Sequence, residues 1–103
     1  MGLNDELIRY CKELTPMEML YRLTKGNIKG LDIIAVKNLS VKKRMPDDIF
    51  NLLLCYFYEE FGSTVYNRND FGRVYLYWVR KKVITFSQAM EMTKIDIKEI
   101  LKR

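Results

Sequence analysis

The segment Asp70–Ala89, DFGRVYLYWVRKKVITFSQA, decides how the rest of the chain is read. It holds the only tryptophan, a dense cluster of cations and a strong helix-restart signal. Placed on a helix at about 100° per residue, Phe71, Val74, Tyr75 and Trp78 fall on one side, the i, i+3, i+4, i+7 pattern of a face turned to a core. Arg73, Tyr77 and Arg80 fall on the other, and Lys81, four residues after Tyr77, reaches the same outer surface. The spacing predicts a core-packed helix whose one solvent-facing ring is framed by three cations, which suits a nucleic-acid backbone.

Further helices follow from start signals and apolar spacing. Asn4 is a favoured cap, with Asp5 and Glu6 where a helix dipole prefers negative charge; Leu7, Ile8, Cys11 and Leu14 form the stripe of a first helix, which either packs back or ends a linker. Thr15-Pro16-Met17-Glu18 reads as a capping box with proline at the first helical position, and Gly26 as its stop. Met17, Leu20, Tyr21 and Thr24 define one side of that helix, with Met19 and Leu23 alongside. Leu31 to Val41 is a third helix with a broad apolar surface. Lys42-Lys43-Arg44 closes it; cations at a helix end suit the unpaired carbonyls, and the same place can meet a phosphate.

Pro46-Asp47-Asp48 opens a helix to Phe61 that is apolar almost all round. Such a helix is buried at the centre of its own domain or partly against another subunit. Because so short a chain struggles to cover it, Phe50, Leu54, Phe57 and Tyr58 are candidate self-association contacts. Thr64 to Asn69 reads as a loop, with Asn67 or Asn69 capping the tryptophan helix. Thr85-Phe86-Ser87-Gln88 is a second capping box, and the tail continues with Ile97, Ile100 and Leu101 opposite Lys94, Lys98 and Lys102.

Length fits one domain of 103 residues, and 49% hydrophobic with 30% charged residues predicts a real core. Charge placement is more telling than the net +5: residues 1 to 71 balance ten Lys/Arg against ten Asp/Glu, while 72 to 103 hold eight against three. All the surplus lies in the last third, pointing to an acidic partner, nucleic acid before membrane; a solvated basic surface is the plainer alternative. Cys11 and Cys55 read as buried free thiols in a reducing cytoplasm; with no histidine and no CxxC, no metal site or cofactor is expected. Neither a signal peptide nor an apolar run long enough to span a bilayer is visible. No histidine base, serine elbow or phosphate-cradling glycine loop supports catalysis.

The same segment resembles the DnaD/DnaB-type primosomal domain family of Gram-positive bacteria and their phages. In that signature an aromatic pair precedes an aliphatic residue, a tryptophan four residues on, a basic run ending in glycine, another aliphatic residue and a helix-starting threonine. Phe71, Val74, Trp78, Val83, Thr85 and Ala89 match. Asp70 replaces the first aromatic, and Lys82 replaces the glycine, which suggests a different helix exit. The resemblance implies a cytoplasmic replication-initiation adaptor that binds single-stranded DNA through this motif, Trp78 included, and the segment after it. It also implies a helicase loader or other primosomal partner and frequent oligomerisation.

The expectation is an all-α single compact domain of five to six short helices, with residues 1–14 as an N-terminal helix or linker end, 15–94 as the helical domain and 95–103 as a basic tail. Phase moves the DNA contact off Trp78 to the opposite face: Arg73, Tyr77, Arg80, Lys81 and Lys82, continued by Lys94 and Lys98. Cations attract phosphates and an exposed ring stacks on a base, so single-stranded DNA, without sequence preference, is the first partner and double-stranded DNA the other form. A protein-interaction or oligomerisation module with no DNA binding is the alternative.

Overall fold

Thr15 and Thr85 form the capping boxes their spacing predicts. Thr15 Oγ1 accepts from the Glu18 N–H at 3.2 Å while Glu18 Oε1 accepts from the Thr15 N–H at 2.9 Å. Gln88 returns the same reciprocal pair to Thr85 at 3.1 and 3.0 Å. The computed structural model describes residues 5–26, 30–42, 44–61 and 69–101. Asn4, Lys43, Asn67 and the loop expected over Thr64 to Asn69 lie outside them, except that Asn69 is described and is the first residue of a helix.

Among the described residues there are seven helices and no strand: α1 Asp5–Glu13, α2 Pro16–Leu23, α3 Gly30–Val41, α4 Asp47–Phe61, α5 Asn69–Arg80, α6 Phe86–Met92 and α7 Ile97–Leu101. The all-α class holds, with one helix more than expected. The extra helix comes from the tail, where Asp96 restarts the chain: its side chain accepts from the Lys98 N–H at 3.0 Å and its carbonyl from the Glu99 N–H at 2.9 Å.

Helix α4 is the axis of the molecule, touching α1, α2, α5, α6 and α7. Every residue from Ile49 to Tyr58 is buried, so Phe50, Leu54, Phe57 and Tyr58 cannot form the self-association surface assigned to them. The chain covers them itself because helices pack around α4 on several sides, giving a Cα radius of gyration of 12.4 Å. Asn51, the polar interruption in this apolar run, is fully buried; its Nδ2 donates to the Cys11 and Leu14 carbonyls at 2.9 and 2.7 Å, closing the C-terminal end of α1.

The expected boundaries at residues 14 and 95 do not separate packing units. Cys11 is buried with its Sγ 4.0 Å from that of Cys55, and Ile97 of α7 is buried while Tyr56 donates its hydroxyl to the Ile95 carbonyl. Both thiols are free, and the contact with Cys11 together with burial pushes Cys55 far above the ordinary thiol range.

Two faces differ from expectation. Met19 and Leu20 are the buried residues of α2 with Pro16, whereas Tyr21 is 63% exposed. On α3, Val36 is buried, but Ile34 and Val41 face solvent, because α2 is its main neighbour. Apolar spacing alone cannot say how many sides of a helix its neighbours cover.

Candidate nucleic-acid interface

Phe71, Val74, Tyr75 and Trp78 are all buried, as the phase of α5 predicts. Aromatic edges lock this face to α4: Phe71 meets Phe50 at 5.8 Å and Phe57 at 5.4 Å between ring centroids, and Tyr75 meets Phe50 at 5.9 Å. Trp78 has no exposed surface and lies 5.7 Å from the Tyr56 ring, so it is unavailable for stacking on a base. Val83 and Ala89 are buried as well, and Thr85 caps α6.

The exit from α5 explains how the cations are displayed. Lys82 has φ +55°, the left-handed conformation a glycine adopts most easily. Its N–H donates to the Val79 carbonyl at 3.0 Å, and the Val83 N–H to the Trp78 carbonyl at 3.2 Å. These two bonds make a Schellman motif, with Val83 packed into the core beside Trp78. The different exit suggested by Lys82 is thus not found: lysine occupies the glycine geometry. Because Val83 turns inward, Arg80, Lys81, Lys82 and the 65% exposed Ile84 remain outside at one corner.

The ring framed by three cations is only partly assembled. Lys81 Nζ lies 5.5 Å from the centroid of Tyr77, a cation–π contact that flanks the ring. Tyr77 itself is half-buried against the core. Arg73 is diverted: Nη1 pairs with Asp70 Oδ1 at 3.2 Å, and Nη2 donates to the Leu101 carbonyl at 3.3 Å. Of the tail residues, Lys94 pairs with Glu91 at 3.0 Å, while Lys98 is exposed on α7.

Arg80, Lys81 and Lys82 have no carboxylate in ion-pair distance among the described residues. That corner combines unneutralised cations with apolar surface from Ile84 and Leu76, the latter 42% exposed. Sequence reasoning left out both apolar residues, since neither fits a basic motif. It read Lys42 and Arg44 as a helix end that can also meet a phosphate; the fold adds that they line one cleft with Arg73.

Among the described residues no group of three or more His, Cys, Asp or Glu could hold a metal ion, and no helix is long and apolar enough to cross a membrane. No protein-family model, curated protein or solved structure matches the chain.

Proposed function

We propose that this protein binds single-stranded DNA without sequence preference and serves as a cytoplasmic primosome adaptor that assists helicase loading. The observation that carries the DNA part is the corner Arg80–Lys82, where three exposed cations stand beside Tyr77 and Ile84 without acidic partners among the described residues. Phosphate binding there releases counterions, while the flanking Tyr77 ring and aliphatic side chains tolerate any base. The primosomal part rests on the resemblance of the α5–α6 segment, with Phe71, Val74, Trp78, Val83, Thr85 and Ala89 as the scaffold that presents the corner.

The test is fluorescence anisotropy of a labelled single-stranded oligonucleotide at several salt concentrations. Wild type should bind with an affinity that falls steeply with salt. The combined variant Arg80→Ala, Lys81→Ala, Lys82→Gly should lose about 2 from the log–log salt slope if three phosphate contacts vanish. Salt-insensitive binding, or an unchanged slope in the folded variant, rejects the reading.

A protein-interaction module without DNA binding is the second reading, favoured by exposed Tyr21, Ile34 and Val41 on α2 and α3. It predicts a mass that rises with concentration in sedimentation and no salt-sensitive DNA binding. An adaptor that also self-associates would place its protein surface here, since α4 is covered.

A further inference from the structure

The end of α3 and the first turns of α5 enclose a cleft of about 310 Å³. Lys42 and Arg44 stand on one side, Asn69, Gly72 and Arg73 on the other, and Tyr75 forms part of the wall. No carboxylate lines it among the described residues, and neither Lys42 nor Arg44 has an acidic partner. Asp70 lies outside the lining and grips Arg73, which fixes that guanidinium at the rim. A hypothetical Cβ on Gly72 meets no atom within 4 Å, so the backbone of α5 borders open space there.

The second observation is independent of charge. Tyr75 is 1% exposed; the Arg44 backbone N–H approaches its hydroxyl oxygen, and among the described residues no acceptor takes the hydroxyl hydrogen. A buried hydroxyl whose hydrogen finds no acceptor has given up part of its hydration without a replacement, which is uncommon in a finished core. Burial pushes this phenol above its usual range, against the opposing pull of the Arg44 charge and of its backbone N–H, so it stays protonated and able to donate. Cations on two sides, the positive end of the α5 dipole and an idle donor together describe a receptor for an oxyanion.

We propose that this cleft seats a phosphate group, held by Lys42, Arg44 and Arg73 with the Tyr75 hydroxyl as a neutral donor. The phosphate belongs either to a DNA strand, in which case the seat rests on the DNA-binding reading above, or to a small phosphate ester, in which case it does not. For a strand, the seat extends the contact along α5: Arg73 and Arg80 are seven residues apart on one face, about 10 Å of helix rise. Strand phosphates then have one anchor at each end of the helix.

The experiment is a pair of nuclear magnetic resonance titrations of the full chain, with inorganic phosphate and with a short thymidine oligomer, in wild type, Tyr75→Phe and Lys42→Ala/Arg44→Ala. Phosphate should shift the amide signals of Asn69 to Arg73, and Tyr75→Phe should weaken it about tenfold, the usual loss of one hydrogen bond to a charged group. The same variant should melt close to wild type, because it removes a hydroxyl whose hydrogen has no acceptor and whose oxygen has only the Arg44 backbone contact; a merely structural Tyr75 would leave phosphate binding unmoved. Oligomer shifts at the cleft as well assign the seat to a strand. Phosphate shifts at the cleft with no oligomer binding anywhere assign it to a small ester and reject the DNA reading. Oligomer shifts confined to Arg80–Ile84, with the cleft silent in both titrations, overturn the seat and leave DNA binding standing. Silence throughout overturns both, and wild-type phosphate affinity in Tyr75→Phe overturns the seat as drawn.

Discussion

Lys82 holds a left-handed backbone at φ +55° while presenting its ammonium to solvent beside Arg80 and Lys81. A β-carbon in that conformation is unfavourable by about 1 kcal/mol or more, and glycine escapes the penalty. Lys82→Gly should therefore raise the melting temperature by about 4–8 °C if the relief is 1 kcal/mol. On the proposed DNA-binding reading the same change should also weaken DNA binding and reduce its salt slope, as one phosphate contact fewer requires; calorimetry beside anisotropy checks both, and a variant that gains stability with unaltered DNA affinity removes Lys82 from the proposed interface. Asn51 is the converse case, a polar side chain serving stability alone. Asn51→Ala leaves the Cys11 and Leu14 carbonyls without their donor and should lower unfolding free energy by about 1–3 kcal/mol in urea titrations. Its position inside an apolar run was plain in the sequence, but its purpose was not, since the partners lie 40 and 37 residues away.

Among the helices, α2 shows how much a local motif dictates. Hydrogen bonding from the Thr15 backbone first, then from its side chain, holds the Glu18 carboxyl below the usual glutamate range. The unfolded chain therefore takes up this proton before the folded one as pH falls, so the contribution is complete above about 4.3, the ordinary value, and fades through the lower folded value. Glu18→Gln keeps a capping side chain but cannot titrate. Urea midpoints at neutral and at acid pH should fall less in the variant than in wild type; equal losses dismiss a role for Glu18 in acid sensitivity. Capping boxes, the buried face of α5 and the restart at Thr85 were legible because each involves residues within a few positions of one another. The exposed faces of α2 and α3 were not: Tyr21 and Ile34 look as core-like as Leu20 and Val36, and which of them is buried depends on where the neighbouring helices pass.

Across the whole molecule, helix α4 takes the first of its two sequence readings, a helix buried at the centre of its own domain, and not the second, a subunit contact. Phe57 meets Phe71 at 5.4 Å and Tyr58 at 5.2 Å, edge to face, with no exposed surface. Phe57→Ala should thus destabilise the fold by about 3–5 kcal/mol in chemical unfolding while leaving the sedimentation mass unchanged. A fall in mass with intact stability would return Phe57 to a subunit interface. Charge tells a parallel story: the surplus in the last third is visible by counting, yet Arg73 and Lys94 are engaged by Asp70 and Glu91, and Arg73 meets Lys42 and Arg44 from outside that third. The helical class, the capped starts and the inward face of α5 follow from the order of residues alone, because they depend on hydrogen bonds and periodicities spanning at most two turns. The covering of α4 by its own chain, the diversion of Arg73, the outward faces of α2 and α3 and the cleft beside Tyr75 arise only when distant helices meet, since each is set by which surfaces the folded chain brings into contact.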